Sequence, residues 1–215
     1  MGRRRKEPEG VHRENIAVAA AQLFGEKGVQ GTTMDDIAKQ AGYSKATLYV
    51  YFANKEEIVG LLALKSMRLL KDCLDKAVFE PGTPKEKYDR ICFTLVDYQA
   101  KYPLYYTLAL GEINVDFESG MYLPVEKEIF DVGEQINQTL STFIRGETGI
   151  GKNQSHLQVV QTVFWFWATL SGLIQTSSAK QAYLEQYLSI SKQQFLKDGF
   201  EKLYQVISME EQRDA

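Results

Sequence analysis

Cysteine is scarce in this chain of 215 residues, which holds only Cys73 and Cys92. Two thiols so far apart exclude a disulfide-stapled scaffold and a CxxC motif, and suit a reducing compartment. Histidine is equally sparse: His12 and His156 form no HxxxH pair, so no metal site is expected. No run of about 18 uninterrupted apolar residues exists. The longest candidate, Val159 to Ile174, is broken by Gln161, Thr162, Thr169 and Ser171, and no membrane-spanning helix is expected from it. GxxxxGK[ST], GxGxxG and GxSxG are all missing, which removes the common nucleotide-cradling and nucleophile motifs and leaves no cofactor to expect. The paired acids Asp35-Asp36 and Glu56-Glu57 stand at helix starts, where the macrodipole favours them, so neither pair reads as catalytic. Arg3 to Lys6 lead into Glu7, Pro8 and Gly10 rather than into an apolar stretch, unlike a secretory leader. A cytoplasmic protein that is not an enzyme is the expectation.

What the chain does contain is the mix of a globular protein: 44% hydrophobic and 25% charged residues. The net charge is −3, from 25 basic and 28 acidic residues, yet residues 1–60 carry nine basic against eight acidic ones. The acidic excess lies beyond residue 60. Any contact with nucleic acid therefore belongs near the N-terminus, in local clusters.

Apolar spacing predicts helices almost throughout. Ile16, Ala20, Leu23 and Phe24 recur at helical intervals from about Arg13 until Gly28. Thr33 with Asp36 three residues on is an acidic capping box opening a helix from Met34 to Ala41. Ser44 caps a third segment, Lys45 to Phe52, after the short turn at Gly42 and Tyr43. Asn54 with Glu57 begins a fourth that Ile58, Leu61, Leu62, Met67, Leu70 and Leu74 carry to about Ala77. After the break from Glu80 to Pro84, helices are predicted at roughly 85–101, 103–111, 121–145, 155–179 and 188–208. The fold class is all-α: an N-terminal three-helix unit joined through the fourth helix to a larger bundle.

Two helices separated by a turn this short have the geometry of a helix-turn-helix, whose second helix fits the major groove. At 100° per residue, Leu48 and Phe52 face inward while Ala46, Tyr49 and Val50 face outward, flanked by Lys45 and Thr47. One cation, a hydroxyl, a phenol and small apolar groups suit phosphates, base edges and thymine methyls.

Residues 24–28 (FGEKG), 31–42 (GTTMDDIAKQAG) and 44–58 (SKATLYVYFANKEEI) resemble the N-terminal motif of the TetR-like transcriptional regulators. The resemblance implies about nine helices, a homodimer through the last two long helices and an effector pocket in the C-terminal region. It also implies that Thr33, Tyr49, Tyr51 and Lys55 touch phosphate, and that Ser44, Lys45, Ala46, Thr47 and Val50 lie nearest the bases. Tyr43 stands where such proteins have a small aliphatic residue, and Ala46 where a glycine is common. The implied division is a flexible basic arm at 1–12, a DNA-binding domain at 13–54, a connecting helix at 55–77 and a ligand-binding and dimerisation region at 78–215.

Aromatic residues crowd the middle of the chain, among them Tyr88, Phe93, Tyr98, Tyr102, Tyr105, Tyr106, Phe117, Tyr122 and Phe130. Most must be core, but a tyrosine in an apolar bundle needs a hydroxyl partner and suits a cavity wall. Tyr98, Tyr102 and Phe130, with Trp165 opposite, are the candidate ligand contacts. The segment Phe164-Trp165-Phe166-Trp167, followed by Ser171 and Gly172, is apolar nearly all round and is expected to be buried on both sides, one of them by a second copy. The resulting expectation is a repressor released from a palindromic operator by a small apolar or aromatic effector. The alternatives are a helical small-molecule binder or enzyme without DNA affinity, and a DNA binder controlled by a protein partner.

Overall fold

The computed structural model describes residues 8–111, 122–146 and 154–209, with side chains described to residue 206. Arg3 to Lys6, Phe117, the stretch Asp116–Gly120 and most of the loop Gly146–Asn153 lie outside the described residues. Among the described residues there are ten helices and no strand: α1 (Glu9–Lys27), α2 (Met34–Ala41), α3 (Lys45–Tyr51), α4 (Lys55–Phe79), α5 (Pro84–Lys101), α6 (Pro103–Ala109), α7 (Pro124–Arg145), α8 (His156–Ala179), α9 (Gln181–Tyr187) and α10 (Lys192–Met209). They group into two compact units, residues up to Leu69 with Tyr102–Val132, and Leu70–Lys101 with the residues from Gly133 on. The division falls inside α4 and inside α7, not at the Glu80–Pro84 break.

The first unit is built on α1 to α3. Ile16, Ala17, Ala20 and Phe24 of α1 meet Ile37 and Ala38 of α2, Leu48 and Phe52 at α3, and Ile58 and Leu62 of α4 in one cluster. Each fully buried Ile, Leu or Phe among them contributes about 1.5–3 kcal/mol. α6 belongs here too: Leu104, Tyr105 and Leu108 pack against that cluster, and the buried Ser66 hydroxyl donates to the Tyr105 carbonyl at 2.6 Å. Those contacts group α6 with α1 although 75 residues or more of chain intervene.

In the second unit α5, α8 and α10 form the centre. Tyr88 is fully buried, donates its hydroxyl to the Phe200 carbonyl at 2.8 Å, and sets its ring edge-on to Phe166. Burial raises its phenol well above the ordinary value, so it is a neutral strut. At the crossing of α8 and α10, a Cβ on Gly199 would lie 2.9 Å from Leu173, so the glycine permits the close approach.

α9 differs from the expectation, which has a loop there. A seven-residue helix with one buried residue, Leu184, carries too little periodicity to register. Its exit is closed by Ser189 in the left-handed region (φ 56°) and by the Ile190 amide donating to the Leu184 carbonyl at 3.0 Å.

α8 is long and apolar enough to cross a membrane by length and composition, but it also supplies Val159, Val163, Phe166, Leu170 and Ile174 to the core of the bundle. Its opposite side is open in the single chain, with Leu157, Phe164 and Trp165 each more than half exposed. The inward side is thus buried as expected, and the side expected to meet a second copy is uncovered in the single chain.

Candidate nucleic-acid interface

The turn between α2 and α3 is set by three residues. Gly42 takes the left-handed conformation (φ 74°) that ends α2, and its amide donates to Lys39. Tyr43 follows, its amide donating to the Ala38 carbonyl at 2.9 Å. Ser44 then caps α3 by accepting from the Thr47 amide at 3.1 Å, and the two hydroxyls lie 2.8 Å apart.

At the start of α2 both halves of the capping box are present. The Asp36 amide donates to Thr33 Oγ1 at 3.2 Å, and the Thr33 amide donates to Asp36 at 2.9 Å. Lys27 and then the Thr33 amide hold the Asp36 carboxyl well below the usual carboxylate range. Thr33 itself is exposed.

α3 shows the two faces read from its spacing. Leu48 and Phe52 are 0% and 1% exposed, while Tyr49 and Val50 are 45% and 76% exposed. Ser44, Lys45 and Ala46 are exposed and Thr47 is half-buried. Lys45 pairs with Asp35 of α2 at 2.8 Å, which raises its pKa. Both side chains are solvated, so this pair adds little stability.

Two expected contact residues have further work in the structure. Lys55 is half-buried, and its ammonium donates to the carbonyls of Val29 at 2.7 Å and Thr32 at 3.0 Å. It therefore ties the start of α4 to the connection that carries Thr33. Tyr51 is half-buried too, with its ring 5.1 Å from that of His12. Sequence reading did not single out His12 or Arg13 as interface residues, because no spacing rule links positions 31 to 38 residues apart.

The candidate ligand residues divide between the units. Tyr98 is buried in α5 of the second unit; Trp165, on the outer side of α8 there, is 62% exposed and so is not a buried cavity wall in the single chain. Tyr102 and Phe130, both half-buried, belong to the first unit. α5 ends at Lys101, because Pro103 disfavours helical backbone at Tyr102, which stacks on Tyr105 at 6.1 Å. A cavity of about 340 Å³ in the first unit is lined by Val29, Val59, Leu108, Val125 and Ile129 with Lys55, and by none of these four candidates.

Two helices at this turn, an outward polar-aromatic face and an inward apolar one define a helix-turn-helix DNA-binding domain. Residues 16–62 match the family model of the bacterial regulatory proteins of the tetR family. That match covers the stretch from α1 into α4 that holds the helix-turn-helix, about a fifth of the chain. The chain is 50% identical over 46 residues to the biofilm operon icaADBC negative transcriptional regulator IcaR of Staphylococcus epidermidis, covering 21% of this chain and 25% of that one. It is 26% identical over 135 residues to a fatty acid metabolism regulator protein of Bacillus subtilis, covering 63% of each. Among solved structures, the transcriptional regulator FadR of Bacillus subtilis in complex with stearoyl-CoA aligns with a TM-score of 0.63 and 20% identity, over 91% of this chain and 97% of that one. The matches thus span from a quarter to just under two thirds of these curated relatives' length.

Proposed function

We propose that the protein is a cytoplasmic, homodimeric repressor, not an enzyme, that reads a near-palindromic operator with α3 and is released by an apolar effector. The observation carrying this reading is the outward face of α3, where Ser44, Lys45, Ala46, Tyr49 and Val50 are exposed above a core anchored by Leu48 and Phe52. In this reading residues 13–54 read DNA. Ser44, Lys45, Ala46, Thr47 and Val50 meet the base edges, and Thr33, Tyr49, Tyr51 and Lys55 meet phosphate. α4 connects this domain to the region from residue 78, which takes the effector and the second copy. An effector releases DNA only by binding one state of the dimer better than the other. A long-chain acyl thioester is the first class to test, because the fatty acid regulator relative and the stearoyl-CoA complex both point that way. Tyr98 is retained as the candidate contact within the second unit, with Tyr102 and Phe130 as candidates in the first.

Selection from a random duplex pool is expected to return a near-palindrome whose half-sites lie about 34–36 Å, or a multiple of that, apart. Equal affinity for the palindrome and for one isolated half-site would defeat the dimeric reading. On the selected duplex, Lys45→Ala is expected to lose about 1–3 kcal/mol of discrimination against a changed base. Asp35→Asn is expected to tighten all duplexes several-fold, since it releases Lys45 and removes a carboxylate from a surface facing phosphates. Unchanged affinity in both variants would remove Lys45 from the interface.

A further inference from the structure

The first turns of α1 reach both ends of α3. His12 Nδ1 and the Tyr43 hydroxyl are 2.8 Å apart, a hydrogen bond between α1 and the turn just before α3. The His12 ring lies edge-on to Tyr43 at 5.7 Å and nearly parallel to Tyr51 at 5.1 Å. Arg13 donates from its guanidinium to the Tyr51 carbonyl, and the same group sits 4.2 Å over the Phe52 ring. Two consecutive residues of α1 therefore hold the chain immediately before α3 and immediately at its end.

This matters because α3 has only seven residues, too few to be stable alone. Its pose is borrowed from its neighbours. Leu48 and Phe52 set which face of it turns inward, but apolar contact is non-directional and leaves its finer tilt and shift weakly defined. Hydrogen bonds and the planar guanidinium are directional. His12 and Arg13 also lie outside the stretch 16–62 that matches the family model.

We propose that His12, with Tyr43, is a positioning pair that sets the pose of the recognition helix, so that sequence discrimination, rather than general DNA affinity, depends on the hydrogen bond between them. The proposal rests on the DNA-binding reading above. Neither residue need touch a base. His12 Nδ1 and the Tyr43 hydroxyl share one hydrogen bond, while the His12 ring lies against that of Tyr51.

The test uses the full chain with the duplex selected from the random pool and a scrambled duplex of the same composition. His12→Ala and Tyr43→Phe are each expected to lower the ratio of selected to scrambled affinity about fivefold, the scale of one hydrogen bond. Binding to the scrambled duplex should change less than twofold. The double variant should lose no more than either single one, because both remove the same bond. His12→Asn, which keeps a polar group near the Nδ1 position, should recover part of the ratio. A DNA-free arm checks the contact itself: Tyr43→Phe should shift the His12 ring nitrogen resonances, assigned by their loss in His12→Ala. Shifted resonances with an unchanged ratio in both single variants would overturn the positioning role. Equal losses on both duplexes with a falling melting temperature would make the pair mere packing and overturn it equally. A wild-type chain that does not distinguish the two duplexes would overturn the DNA-binding reading and this one together, even with the resonance shift intact.

Discussion

In the dimeric reading proposed above, Trp165→Glu is expected to give a monomer and to lower affinity for the selected near-palindromic duplex by about two orders of magnitude or more. The ring lies on the outer side of α8 with Leu157 and Phe164, and each is more than half exposed in the single chain. Ala168 and Gly172 follow on the same side, one and two turns on, and both are exposed. A Cβ at Gly172 would meet nothing within 4 Å, so this part of the helix is open to a partner's backbone. Large rings beside small residues on one helix stripe suit a self-complementary interface about a two-fold axis. A buried aromatic at such a centre is worth about 2 kcal/mol or more on truncation, and a carboxylate in its place adds a desolvation cost. Loss of the second recognition helix then removes an effective-concentration gain of about 10²–10⁴. Light scattering and binding to the selected duplex check both effects. The melting temperature of the monomer should fall little beyond the loss of the interface, because Trp165 contributes little to its own chain's core. A dimer that survives this change would place the interface elsewhere.

Phe52→Ala should have the largest effect on the DNA-binding unit. The ring is 1% exposed, packed in the cluster that joins α1 to α4, and covered by the Arg13 guanidinium. Truncating a buried phenylalanine costs about 3–5 kcal/mol. A further part, about 0.5–1 kcal/mol, comes from the lost cation–π contact. Against a total stability of about 5–15 kcal/mol, that leaves the unit marginal or unfolded at 37 °C. Denaturant titration followed by circular dichroism should show an early transition in Phe52→Ala, with binding to every duplex lost. Tyr49→Ala is the control, since an exposed change should alter stability by less than about 0.5 kcal/mol while weakening DNA binding. A loss below about 1 kcal/mol in Phe52→Ala would mean that α3 is held by something other than this cluster.

Where a signal is local, the amino-acid sequence was enough. Thr33 and Asp36 exchange hydrogen bonds across one helical turn, and Gly42 needs only its own left-handed backbone, so α2 begins and ends where the spacing put it. The inward and outward faces of α3 follow from 100° per residue, and Leu48, Phe52, Tyr49 and Val50 lie accordingly. The all-α class followed from the same periodicity repeated along the chain. Boundaries without a strong cap were less legible: α1 begins at Glu9, four residues before the expected start, directly after Pro8.

Tertiary structure alone decided the rest, because those contacts join residues with no fixed separation. Lys55 is implied only as a phosphate contact by the resemblance, yet folding brings its ammonium to two carbonyls more than twenty positions back. His12 reads as an isolated tail residue, and only the packing of α1 across the turn delivers it to Tyr43 and Tyr51. α8 reads as apolar all round; which side of it enters the core depends on where α5 and α10 lie, and that leaves Trp165 on the outside. Helical period and capping are properties of a few neighbouring residues, whereas the partner of an exposed or half-buried side chain is set by the path of the whole chain.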